Sequence, residues 1–361
     1  MNNIKKIGLT ALAGSLVTLG SATAGEMSVS GSVNVTLGYG TLNGNSSRAI
    51  GTDRDVAFSG GGELDNGTTF SMKTVMDDNF DVSSSTTTIT TPSLGSFTLG
   101  NGTGSAAYAY DEQTPKAYEE VSDAKQTSAN MTGDFMDNNN IMYTSPTFDM
   151  MGASITAHLG YSPQAADTGE NDGSNDAFDS TDGEGTEAGL TISYDALKVG
   201  VYGAERENKT PASNTTSGQE IGDEFNGAWY VTYSFGPVAI GYTESYMDGG
   251  VTQALENPTA SKVERTAGGI FTGEQMSIAF NVNDNMSVSY TTSDETYDTQ
   301  DDAKTATTDD DDVTESIDSI QIAYSMGGMS IKAYQTEVSN PDQDDNAADA
   351  SITEIALGFA F

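Results

Sequence analysis

Residues 27–39 read Met27-Ser28-Val29-Ser30-Gly31-Ser32-Val33-Asn34-Val35-Thr36-Leu37-Gly38-Tyr39. The apolar side chains Met27, Val29, Val33, Val35, Leu37 and Tyr39 take the odd positions, and the polar or small residues take the even ones. Successive side chains of a strand point to opposite faces, so this period of two predicts a strand with one greasy and one wet face. The same period returns at Trp229, Val231, Tyr233 and Phe235, at Val238, Ile240 and Tyr242, and at Met276, Ile278 and Phe280. It recurs at Met286, Val288 and Tyr290, at Ile320, Ile322 and Tyr324, and at Met329, Ile331 and Ala333. The chain ends on it, with Ile355, Leu357, Phe359 and Phe361.

Short turns and long polar connections alternate between these segments. Leu64-Asp65-Asn66-Gly67-Thr68 is short, and Asn-Gly supplies positive φ. Residues 92–95, 145–151, 195–197, 235–237, 282–285 and 325–328 are short as well, and the other connections are expected to be long. Counted by this rule the strands number sixteen, at 26–40, 50–62, 69–77, 85–91, 96–101, 139–145, 152–161, 186–194, 198–206, 225–234, 238–246, 271–281, 286–293, 317–324, 329–336 and 351–361. Antiparallel strands with short turns at one end and long loops at the other are the sequence form of a transmembrane β-barrel of the outer-membrane type. Closure is a requirement of lipid, where an unpaired backbone group costs several kcal/mol.

The composition fits that reading and resists others. The chain has 361 residues, 14 Lys+Arg against 53 Asp+Glu, a net charge of −39 and no Cys. That charge excludes a phosphate backbone, and so nucleic acid, as partner. The lack of Cys excludes disulfides, thiolate catalysis and Cys-ligated metal. Few aliphatic residues with so much charge would ordinarily mean disorder. A wide barrel escapes that rule because lipid replaces the apolar core and the lumen is wet. Ahead of the strands, Lys5 and Lys6, an apolar stretch over 7–19 and Ala22-Thr23-Ala24 describe a secretory signal peptide at 1–24, leaving the barrel domain at 25–361.

Three stretches resemble the general porins of Gram-negative outer membranes. Phe58-Ser59-Gly60-Gly61-Gly62-Glu63-Leu64-Asp65-Asn66-Gly67-Thr68 is similar to their second strand and turn. Ser93-Leu94-Gly95-Ser96-Phe97-Thr98-Leu99-Gly100-Asn101 is similar to the strand that leads into their constriction loop, although Asn101 stands where the family often has Arg. The terminal Phe361 is similar to the signal read by the barrel-insertion machinery. The resemblance implies a sixteen-stranded barrel in the outer membrane, usually a homotrimer, in contact with lipid and lipopolysaccharide. It implies passive diffusion of small hydrophilic solutes and a third loop folded into the pore.

That loop, about 102–138, carries Asp111, Glu112, Glu119, Glu120, Asp123, Asp134 and Asp137 against Lys116 and Lys125. Carboxylates in a narrow aqueous pore favour cations. The expected constriction therefore joins Asp111, Glu112, Glu119, Glu120 and Asp123 to wall bases. Lys73 faces the lumen by parity, and so do Lys198, Arg206 and Lys332; Arg54 shares parity with Val56 and Phe58 and reaches the pore only if the pairing bends. Arg48 is expected in the first outer loop. The acidic outer loops, such as Asp309-Asp310-Asp311-Asp312, lack the spacing of a calcium site and read as solvated. His158, the single His, points into the lumen by parity and leaves neither a His-rich metal site nor a catalytic triad in view. The expectation is no enzyme, no cofactor and no metal. Two rival readings share the pattern: a solute-specific barrel channel, and an acidic surface adhesin without a pore.

Overall fold

The computed structural model describes residues 26–42, 44–101, 105–122, 136, 139–165, 182–208, 220–252, 270–298 and 312–361. The leader expected at 1–24 lies outside them. The first half of the barrel is built from β1 (Glu26–Leu42), β2 (Asn45–Glu63), β3 (Thr69–Met76), β4 (Val82–Thr91), β5 (Gly95–Asn101), β6 (Asn140–Thr144), β7 (Phe148–Met150), β8 (Ala153–Ser162) and β9 (Asp182–Tyr194). The second half continues with β10 (Leu197–Asn208), β12 (Glu224–Phe235), β13 (Val238–Asp248), β15 (Ile270–Asn283), β16 (Met286–Asp298), β17 (Val313–Met326), β18 (Met329–Ser339) and β19 (Ala350–Ala360). Two short strands, β11 (Glu220–Ile221) and β14 (Val251–Thr252), pair separately beyond the β12–β13 hairpin.

Barrel strands pair antiparallel around the ring in chain order, and β1 pairs with both β2 and β19, so the sheet closes. β6 and β7 share β8 as partner and are two parts of one broken strand, which leaves sixteen positions around the ring. The break falls at Pro146, which has no N–H for the ladder. The Ser145 hydroxyl accepts from the Ala157 N–H at 2.9 Å and donates to the Pro146 carbonyl at 2.9 Å, filling the gap. Residues 148–150, expected in a turn, therefore extend the wall.

The sixteen expected strands all form. The expected asymmetry of the rims holds with two exceptions. Leu42 already pairs with Asn45, so the first far-rim connection is short and Arg48 stands in β2 opposite Tyr39, not in a loop. The second is the tight turn at 77–81, where Asp77 accepts from the N–H groups of Asn79 and Asp81.

Side-chain parity runs unbroken around the cylinder. One cross-strand row reads Val288, Ile322, Ala333, Ile355, Leu37 and Ile50, passing through the β19–β1 seam without a change of face. This is the outward face. Its large apolar side chains are exposed, among them Ile278, Phe280, Ile320, Ile331 and Phe359. The opposite face carries the Ser, Thr, Gln and Gly positions. Among the described residues no helix is long and apolar enough to cross a membrane. The outward apolar belt is what hydrocarbon would contact.

The belt yields a stability test. Ile322→Lys, in the middle of the belt, is expected to cost roughly 2–4 kcal/mol of folding free energy in urea titrations of the protein refolded into vesicles. Thr86→Lys, on the inner face of β4, is expected to stay within about 0.5 kcal/mol of the parent, as for other wet surfaces.

Candidate pore constriction

The loop between β5 and β6 enters the lumen. Its described part, 105–122, packs along the inner wall from β8 and β9 across to β19. At its start Ser105 caps the 3₁₀ turn Ala106–Ala109 by accepting from the Ala107 N–H at 3.0 Å. Glu187 of β9 receives three donors there: Ser105 Oγ at 2.9 Å, the Ala106 N–H at 2.9 Å and Tyr202 Oη at 2.9 Å. A carboxylate buried this deeply needs such donors to offset its lost hydration. Gly160 opens the space, since a Cβ there would lie 2.2 Å from Glu187 Oε1.

Next along the loop, Tyr110 is fully buried. Its hydroxyl lies 2.7 Å from His158 Nδ1, and its ring stacks on Tyr202 at 5.3 Å between centroids. A Cβ at Gly189 would lie 2.3 Å from the Tyr110 ring, so only glycine leaves this seat open. His158 thus faces inward as parity requires, and it holds the loop.

The middle and end of the loop are read by wall amides. Gln275 of β15 donates from Nε2 to Glu112 Oε1 at 2.7 Å and accepts from Thr114 Oγ1. Ser289 of β16 accepts from the Ala117 N–H at 2.9 Å. Gln321 of β17 accepts from the Tyr118 N–H at 2.9 Å and donates to the Glu119 carbonyl at 2.8 Å. Tyr118 Oη donates to Glu354 of β19 at 2.8 Å, and Lys332 Nζ lies 4.6 Å from the centre of its ring. Val121 closes the segment in an apolar cluster with Ile317, Val338 and Ala350.

This course decides where the open lumen is. The inward residues of β15 to β18 lie buried beneath the loop and the inward-turned residues 340–343, where Gln343 Nε2 donates to Glu295 at 2.8 Å. The inward residues of β1 to β4 stay reachable by water, among them Ser30, Ser32, Asn34, Thr36, Ser84, Thr86 and Thr88. The pore therefore runs between the loop and a wall rich in hydroxyls.

The expected site residues divide. Asp111, Glu119 and Glu120 keep part of their surface in water, whereas Glu112 is turned into the wall. The carboxylates of Asp111, Glu112 and Glu120 lie within 4.8 Å of one another, and Lys116 pairs with Glu120. Burial, with the charge of Glu120 adding to it, pushes the Glu112 carboxyl up to about 7. Ser122 Oγ donates to its other oxygen. Asp123 lies outside the described residues, as do Asp134, Asp137 and Lys125.

Of the wall bases, Lys73 is in register with inward Ser59 and Thr86, on the lumen side. Lys198 lies 5.2 Å over the Tyr230 ring, and Arg206 pairs with Glu224, both facing inward. Arg54 does not enter the pore. It is in register with Val33, and its Nε bonds Asp78 Oδ1 at 2.8 Å on the outward face. The pairing there does not bend, so parity keeps it outside. Sequence reasoning missed the buried Glu187 and the amides Gln275 and Gln321. Their inward parity was legible, but nothing local announced that a loop more than 80 residues away in sequence would cover them.

A hollow, closed barrel with a loop packed inside it and an apolar belt outside defines a membrane channel. A model of the Gram-negative porin family matches residues 8–255, about two thirds of the chain, and the chain belongs to that family. Its location is accordingly the outer membrane, its function that of an outer-membrane porin channel, and the pore-less adhesin reading falls away. No curated protein matches it. Among solved structures, OmpF of Salmonella typhi in complex with daunomycin superposes with a TM-score of 0.64 at 12% identity, covering 93% of this chain and 97% of that one. OmpT of Vibrio cholerae gives 0.61 at 14% identity, covering 94% and 99%. A trimer form of that OmpT gives 0.60 at 13%, covering 94% and 100%. At these identities the likeness is one of fold.

Two tests follow from the loop anchors. Gly189→Val should evict Tyr110 and loosen the loop, seen as larger and noisier single-channel currents. The second concerns pH. The Glu112 carboxyl titrates near 7 when docked and near the ordinary 4.5 when released. Between those values the docked form holds a proton that the released form lacks, so docking strengthens as pH falls from 7 toward 4.5. Asp111, Glu120, Lys116, Ser122 and Gln275 surround the group and set this balance. Current noise is expected to fall over that range, and Glu112→Gln should flatten the dependence.

Proposed function

We propose that the protein is a general diffusion porin with a preference for cations, rather than an enzyme or a solute-specific channel. The supporting observation is the charge on the two sides of the open lumen. The loop presents Asp111, Glu119 and Glu120 to water, and the facing wall adds inward Asp53 and Asp55 to its hydroxyls. Lys73 is the single base on the inner faces of β1 to β6 among the described residues. The other inward bases are engaged, Lys198 and Lys332 over tyrosine rings and Arg206 with Glu224. Fixed carboxylates between low-dielectric walls raise the local cation concentration and lower that of anions.

The reading extends to export and assembly. Residues 1–24 act as the export signal, Phe361 as the mark for the insertion machinery, and the barrel works as a homotrimer amid lipid and lipopolysaccharide. Support for the terminal mark is its place in the seam. The Gly31 N–H donates to the Phe361 carbonyl at 2.8 Å, and the Phe361 N–H donates back at 3.0 Å. Support for the trimer is the trimer form of the similar Vibrio cholerae OmpT.

Reversal potentials in a salt gradient across a planar bilayer test the preference. Cations should permeate several-fold better than chloride. The triple change Asp111→Asn, Glu119→Gln and Glu120→Gln should bring the ratio toward unity, and Lys73→Glu should raise it. A chloride preference in the parent would end the proposal.

A further inference from the structure

At the long-loop end of the inner wall, two buried carboxylates face each other across strands. Glu295 of β16 and Glu315 of β17 are in direct register, and both are buried. They share parity with inward Ser293 and Ile317, so both point into the barrel. Like charges directly opposite one another destabilise a strand pair, and a buried, low-dielectric setting strengthens the repulsion. Residues 340–343 nonetheless fold down onto this pair. The Asp342 N–H donates to Glu315 Oε2 at 2.6 Å, and Gln343 Nε2 donates to Glu295 Oε1 at 2.8 Å. Asn340 Nδ2 donates to the Thr314 carbonyl at 2.9 Å. Asn340, Asp342 and Gln343 all have left-handed backbone, with φ of 49°, 65° and 48°. Residues with side chains keep that shape only where their contacts hold them.

Three features give the chemistry of this place. The first is convergence. Carboxylates from two neighbouring strands meet two successive residues of one connecting segment, so three elements close on one small space. The second is an orphaned oxygen. Gln343 is 1% exposed, and its Oε1 is buried without a hydrogen-bond partner. Leaving a buried acceptor unsatisfied is costly, so such an atom calls for a partner. The other end of the same amide touches Glu295, which places Oε1 beside the carboxylate pair, and a half-turn of the amide exchanges its two ends. Two carboxylates and an amide oxygen have one kind of partner in common, a cation. The third is donor type. Every candidate ligand is a hard oxygen, the chain has no Cys, and its one His, His158, stands on β8. That set excludes a zinc preference and suits Ca²⁺, which tolerates irregular oxygen cages better than Mg²⁺ does.

We propose that Glu295, Glu315 and the amide oxygen of Gln343 bind one Ca²⁺ ion, which fastens residues 340–343 over the inner wall of β16 and β17. The ion turns the repulsion of the pair into attraction and gives the orphaned oxygen its partner. The ligands come from three separate elements, so no contiguous calcium-loop motif announces them. The site goes beyond the diffusion reading. It does not depend on which ions the pore prefers, and it shares no residue with the water-exposed Asp111, Glu119 and Glu120.

The test uses the full barrel in detergent, stripped of divalent ions with EGTA, with Tb³⁺ as luminescent probe and Ca²⁺ as competitor. Tyr297, fully buried and two residues along β16 on the same face, serves as the antenna. The parent should show one tight site, set apart from the remaining acidic surface by roughly tenfold in affinity. Glu315→Gln should weaken that site by roughly tenfold, and Gln343→Ala should weaken it as well. Gln343→Glu is the decisive variant, because it brings a third carboxylate to the pair. Around an ion it should tighten Ca²⁺ binding, whereas without one it adds only repulsion. A Gln343→Glu protein that binds Ca²⁺ no better than the parent overturns the proposal. So does a parent that shows only weak, graded binding, or that releases Tb³⁺ to Mg²⁺ as readily as to Ca²⁺, since both mark a diffuse acidic surface. Gln343 lies outside the barrel strands, so its variants leave the strand pairing intact, and heat-dependent gel migration checks the folding of each protein.

Discussion

In hydrocarbon each backbone N–H and C=O must find a partner within the protein. A sheet meets that demand only by having no edge. The β1–β19 seam is therefore the contact on which the rest depends, ten paired residues long and extended by the reciprocal bonds of Gly31 and Phe361. Once the seam closes, parity around the ring is fixed, because a slip of one residue would turn a strand's apolar face inward. The unbroken row from Val288 to Ile50 is the visible result.

Closure leaves a hollow too wide for side chains to fill, and the chain fills half of it with its own loop. Lining that space with a polar segment requires polar partners on the wall. Gln275 and Gln321 suit this because each amide carries a donor and an acceptor, and both ends are used on the loop. Tyr110 and Tyr118 supply the apolar area, seated where glycine leaves room or where a neighbouring ring is offered. The cost falls on Glu112, which is held away from water beside Glu120. The remaining lumen is bordered by the partly water-exposed Asp111, Glu119 and Glu120 of the loop and by the hydroxyl-rich wall of β1 to β4.

The same register argument separates two arginines that sequence alone treats alike. Arg48 and Arg54 share one parity and both stand outside the barrel. Arg54 meets Asp78 from the neighbouring turn, whereas Arg48 lies beyond the reach of such a partner and opens onto the seam. Six residues along β2 thus separate an arginine paired with Asp78 from one with no ion pair among the described residues.

The strands were legible in the sequence because a two-residue period is a local property, carried by each segment regardless of its partners. All sixteen positions could be read, including those at 85–91 and 96–101, along with the side of the wall on which Lys73, Lys198, His158 and Lys332 stand. The broken strand at Pro146, the tight first hairpin and the outward Arg54 were not read, since each depends on how far pairing continues, which the partner strand decides. The inward loop was legible only as a charged stretch of the right length. Which carboxylates meet water and which are buried, and which wall glutamines hold them, was settled by the tertiary structure. Those contacts join residues more than 80 and up to 236 positions apart, and no local pattern encodes such a distance.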